Sequence, residues 1–142
     1  MSGPKLTHLP LLALSLALGS SSLGCGKVRE ISACRAIARE VNDAVTEIEG
    51  LSKAKPLDEP RIAKRYAALA KVLEPRATGP APLAVALRDY VVVVQATDQA
   101  IRNHAQALQT QYGKVNEPRR ELERLVKREH AAIARIQVEC DR

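Results

Sequence analysis

"LAVALRDYVVVVQATDQAIRNHAQAL", residues 83–108, decides between two folds. Its centre, Val91–Val94, is an unbroken β-branched run. Such runs suit strands and slightly lower helix propensity. The flanks point the other way. Leu83, Leu87, Tyr90, Val94, Thr97, Ile101, His104 and Leu108 follow one another in steps of three and four. That spacing lays them on one face of an α-helix and carries the face straight through the valines. It predicts a helix over about 83–112.

The same period recurs on both sides. In residues 31–51, Ile31, Cys34, Ala38, Val41, Val45 and Ile48 form a stripe that Ile37, Ala44 and Leu51 widen, with Gly50 and Pro56 as stop signals. A second helix, about 58–74, opens at Asp58-Glu59-Pro60-Arg61 and repeats Ile62, Tyr66, Leu69 and Leu73. Asp58 can accept from free amides of the first turn, and Pro60 fits where no donor is needed. Pro75 ends that helix, and the proline-dense loop 75–82 follows. After a turn at 113–116, Asn116-Glu117-Pro118-Arg119 echoes the earlier start. Leu122, Val126, Glu129, Ile133, Ile136 and Cys140 then continue the period, with Leu125 and Ala132 alongside, to about 140. Four such rods on short loops predict an all-α, antiparallel up-down four-helix bundle.

Composition agrees with this prediction. A length of 142 residues suits one domain. Hydrophobic residues make up 46%, yet Phe and Trp are absent, so the core must be built from Ala, Val, Ile and Leu. Side chains of that size favour close helix packing over a deep ligand pocket. The seven Gly are few for an all-β sandwich.

Residues 1–24 stand apart. Lys5 precedes the uncharged run 9–18, and small residues lead to Cys25. Positive start, short apolar middle and small-residue end describe a secretory signal peptide. The run is about half the length of a membrane span. Ser22-Leu23-Gly24-Cys25 resembles the lipobox of bacterial lipoproteins. The resemblance implies cleavage before Cys25, a diacylglycerol on its thiol and a palmitate-type membrane anchor, with 25–30 as a short lipidated linker and 31–142 as the bundle. Gly26, in place of Asp, implies sorting to the outer membrane, facing the periplasm. The alternatives are ordinary cleavage, for instance after Ala17-Leu18-Gly19, which gives a secreted or soluble periplasmic protein, and an uncleaved anchor.

Three cysteines in an exported chain leave one over. If Cys25 carries lipid, Cys34 and Cys140 remain, and an oxidising compartment lets them pair. In an up-down bundle the first turns of helix one and the end of helix four lie at the same end, which brings these two seam cysteines together. Closing so long a loop contributes on the order of 4 kcal/mol in the chain-entropy model. The anchor, the 75–82 loop and the C-terminus would share that end.

Little in the sequence carries reaction chemistry. No glycine-rich phosphate loop, paired-His zinc motif or haem-attachment motif is present. His104 lies on the apolar seam near Thr97, and Glu129 and Asp98 interrupt or flank seams. Together they sketch a metal site, but without the Glu-x-x-His spacing that bundle metal sites use. A polar core residue with a local partner is the simpler reading of His104, and a buried ion pair or an edge position that of the carboxylates. Segment 53–76 is basic, and Arg61, Lys64, Arg65 and Lys71 are its candidate contacts to an anionic surface such as headgroups or cell-wall polymer. The solvated helix face is the plainer alternative, consistent with a net charge of +6 spread among both signs. Nucleic acid is not expected, since export and the lack of an aromatic platform argue against it. The expectation is a non-enzymatic, cofactor-free, lipid-anchored envelope module that binds a protein or polymer. The alternative is a small-ligand or metal carrier using the core near His104.

Overall fold

The computed structural model describes residues 25–110 and 115–142. The expected signal peptide, the residues Ser22-Leu23-Gly24, the side chain of Cys25, Tyr112 and the first two residues of the 113–116 turn lie outside the described residues. Four helices follow in order: α1 (Cys25–Ser52), α2 (Glu59–Leu73), α3 (Pro82–Thr110) and α4 (Asn116–Cys140). A single 3-10 turn, Glu74–Arg76, extends α2 past Leu73. The protein is an all-α four-helix bundle. Val91–Val94 is helical, and no strand occurs among the described residues.

The predicted stripes form the core. Cys34, Ile37, Ala38, Val41 and Ala44 of α1 are buried, as are Ile62, Tyr66, Leu69 and Leu73 of α2. From α3 come Leu87, Tyr90, Val94, Thr97 and Ile101, and from α4 Leu125, Glu129, Ala132 and Ile136. Thr97 satisfies its hydroxyl locally, donating to the Val93 carbonyl at 2.9 Å. Alanines fill the remaining space: Ala63, Ala70, Ala84, Ala86 and Ala100 are all buried, which lets the helix backbones approach closely.

Helix lengths are unequal, and this shapes both ends. α3 has 29 residues and α2 only 15, so α3 outruns its neighbour. Glu59, the first residue of α2, already meets His104. Residues of α3 beyond 104 therefore have no α2 beside them, and Leu108, expected in the seam, is 50% exposed. At the other end Glu74 accepts from Gln95 at 2.6 Å, so the first turns of α3 extend past α2. The chain returning from α2 covers them. Ala77 is buried there, and Arg88 donates to the carbonyls of Ala77 (3.2 Å) and Gly79 (2.7 Å). Gly79 takes φ 96°, a conformation that favours glycine.

Two start signals resolve differently. Asp58 caps α2, accepting from the Arg61 amide at 3.1 Å. Asn116 does not cap α4. It lies inside the first turn, Val115 occupies the cap position, and no side chain accepts there. The sequence echo thus marks both starts but supplies a cap at only one. α1 departs more. The apolar stripe predicts a start near residue 31 after a linker at 25–30, but α1 begins at Cys25. Lys27-Val28-Arg29-Glu30 contains no proline, and most of its residues tolerate helix without tertiary support. Residues 26–30 are exposed, and Val28 is 53% accessible. The overhang from 25 to 33 reaches about 13 Å at 1.5 Å per residue.

Candidate functional site

Cys34 and Cys140 are joined by a disulfide, with their Cα atoms 5.8 Å apart. Cys34 is buried on the inner face of α1, and Cys140, the last residue of α4, is half-buried. The bond consumes two of the three cysteines. The third, Cys25, is the first residue of the exposed α1 overhang. The start of α1, the end of α4 and the 74–81 return lie at one end of the molecule, as the topology predicts.

At the junction of α2, α3 and α4 lies a polar cluster. Glu129 is 4% exposed, and Tyr66 and Tyr90 are likewise buried. The Tyr66 hydroxyl donates to Glu129 Oε2 at 3.3 Å and the Tyr90 hydroxyl to Oε1 at 3.4 Å. Burial pushes the Glu129 carboxyl above its ordinary range, and the two hydroxyl donors, which favour the charged form, pull partly against that shift. Burial also raises both tyrosines, and the nearby carboxylate raises them further. No cation pairs with Glu129 among the described residues. The cluster is a closed polar knot that ties three helices, with each oxygen of the carboxyl satisfied by a different helix.

Periodicity alone placed Tyr66, Tyr90 and Glu129 on inner faces but did not bring them together. A signal for it was present. A buried tyrosine hydroxyl needs a partner, and Glu129 is the one carboxylate on a predicted seam. Asp98 does not join it. It pairs with Arg102 one turn along α3 at 2.8 Å. His104 is also elsewhere, with its Nδ1 2.9 Å from Glu59 Oε1 in a half-buried contact that links α3 to the first turn of α2. Glu129, Asp98 and His104 therefore do not converge. Among the described residues no three His, Cys, Asp or Glu side chains gather in a metal-binding arrangement.

The candidate surface cations divide. Arg61, Lys64 and Lys71 are exposed on α2, Arg61 within 3.9 Å of Asp58. Arg65 turns the other way and packs its guanidinium against Glu47 of α1 at 2.5 Å. Its Nε–H is not directed at an acceptor, so the contact is coulombic rather than an aligned hydrogen bond. An open groove of about 470 Å³ runs between α3 and α4, floored by Ala96, Ala100 and Pro118 and edged by Gln99, Asn103 and Glu121. Gln99 and Asn103 bond to each other, and Glu121 pairs with Arg124, so most of its rim is already engaged. No helix among the described residues is long and apolar enough to cross a membrane.

Comparison with protein-family models, with curated proteins and with solved structures finds no match.

Proposed function

We propose that the protein is a lipid-anchored module of the bacterial envelope, held at the outer membrane through Cys25, and that it works without enzymatic chemistry by presenting helix faces to a protein or polymer partner. The observation that carries this reading is the cysteine division. Cys34 and Cys140 are spent on a disulfide, which suits an oxidising compartment. Cys25 is thereby set apart, directly after a segment with signal-peptide character. Its position at the start of α1 suits a tether, because residues 26–30, which follow it, are exposed. The exposed Arg61, Lys64 and Lys71 offer a basic face for an anionic partner. A ligand carrier would have to use the region of His104, which is occupied by Glu59.

The test is metabolic labelling of cells with an alkynyl fatty acid, followed by membrane fractionation, for the unaltered chain and for Cys25→Ser. The expected result is a labelled, membrane-bound chain and an unlabelled, soluble variant. Labelling that survives Cys25→Ser, or a soluble unlabelled parent, overturns the anchor. Crosslinking in intact cells then identifies the partner.

A further inference from the structure

The two flanks of α1 differ in character. On one it packs along α2, with Glu47 against Arg65. On the other it meets α4 only over a short apolar stretch, where Ile37, Ala38 and Val41 face Ile133 and Ile136 beside the disulfide. Among the described residues no hydrogen bond or ion pair crosses from α1 to α4. The seam also keeps a narrow apolar gap of about 10 Å³, at the lower limit of what holds one water. α4 is fastened elsewhere by other means. Arg135 pairs with Asp89 of α3, and Glu129 lies beneath the hydroxyls of Tyr66 and Tyr90.

We infer that the Cys34–Cys140 bond is a redox-operated clasp, whose reduction releases the first half of α1 from α4 while α2, α3 and α4 stay assembled. The noncovalent contacts at that seam are few and purely apolar, so the sulfur bridge is the main tie there. The released faces carry Ile37, Ala38 and Val41 on one side and Ile133 and Ile136 on the other, and opening uncovers them together. The chemistry needs a dithiol reductant. One of its thiolates attacks the sulfur of Cys140, the less buried end. The Sγ–Sγ bond breaks, and Cys34 leaves as a thiolate that takes up a proton. The second thiol of the reductant then displaces Cys140, which is protonated in turn. Two electrons and two protons reach the two cysteines, and the dithiol becomes a disulfide. This inference is independent of lipid attachment.

The experiment is amide hydrogen exchange on the purified full chain, with free thiol blocked by iodoacetamide, before and after dithiothreitol. The expected result is that reduction speeds exchange across residues 31–44 at least about tenfold more than across 62–73 and 86–101, whose rates rise only with the loss of global stability, and that protection is regained on reoxidation. A Cys34→Ser, Cys140→Ser double variant should exchange like the reduced chain without any reductant. Reduced wild type supplies the measurement even if that variant folds poorly. Identical rates before and after reduction overturn the clasp. Equal acceleration in all four helices also overturns it, because the bond would then hold the whole fold rather than one seam.

Discussion

Tyr66 on α2 and Glu129 on α4 meet in the core, hydroxyl to carboxylate, across a separation of 63 residues. Tyr90 of α3 closes the other oxygen of the same carboxyl. In a core otherwise built from small aliphatic side chains, this contact gives three helices a fixed level relative to one another. A register slip of one turn on any of them leaves a buried polar group without its partner, and that costs about 1–3 kcal/mol.

Stability should depend on pH through Glu129. Burial holds its native-state value above the ordinary 4.5, so the native state binds the proton more tightly than the unfolded chain. The contribution is fully present below the unfolded value and is lost as pH rises through the native one. Gln at this position accepts from one tyrosine, can hydrogen-bond the other through its amide, and does not ionise. Glu129→Gln should therefore be less stable than wild type by up to about 1 kcal/mol in acid. That gap should close and reverse as pH rises. Urea midpoints measured across the pH range check this, and a gap that does not vary with pH contradicts it.

Removing one donor should sharpen the same dependence. Tyr90→Phe keeps the ring packing but takes away a hydroxyl that favours the charged carboxyl. It should cost about 1 kcal/mol in acid and more as pH rises, with the loss extending to higher pH than in wild type. A uniform cost at every pH counts against the coupling.

The valine run offers a test of helix against strand. Val92 and Val94 would share a face in a strand, but in a helix they diverge. Val94 is fully buried and Val92 is half exposed. Val94→Ala should cost about 2 kcal/mol, from lost burial and the space left behind. Val92→Ala should be neutral or stabilising by a few tenths of a kcal/mol, since Ala is the better helix former. Similar losses at both positions would contradict the helix.

The two helix starts should respond unequally. Asp58→Ala removes an acceptor from the Arg61 amide and should cost about 1 kcal/mol. Asn116→Ala removes no cap and should stay within about 0.5 kcal/mol of wild type. Thermal unfolding of the two variants side by side is sufficient, and an equal loss would restore Asn116 as a cap.

The fold was legible because one period, sustained through Ile62–Leu73 and Leu83–Ile101, specifies which faces must meet. The disulfide was legible for the same reason, since topology alone puts Cys34 and Cys140 at one end. Other features depended on distances along the bundle axis, which a periodic stripe does not contain. Leu108 is exposed because α2 starts level with His104, a matter of relative helix length. Arg65 of α2 turns to Glu47 of α1, although its sequence neighbours suggest a shared basic face. The overhang of α1 was missed because a solvated helix of ordinary residues has neither an apolar stripe nor a cap to announce it. His104 could be recognised as a residue needing a polar partner, but nothing in the local sequence pointed to Glu59, 45 positions away.

The scarcity of aromatic residues equips the protein with its own spectroscopic reporter. It contains no Trp and only three Tyr, two of which touch Glu129. Near-ultraviolet circular dichroism therefore carries, beside the signal of the disulfide, that of two tyrosines held at one point where three helices cross. Loosening at that point can be followed optically in the native chain without any added label.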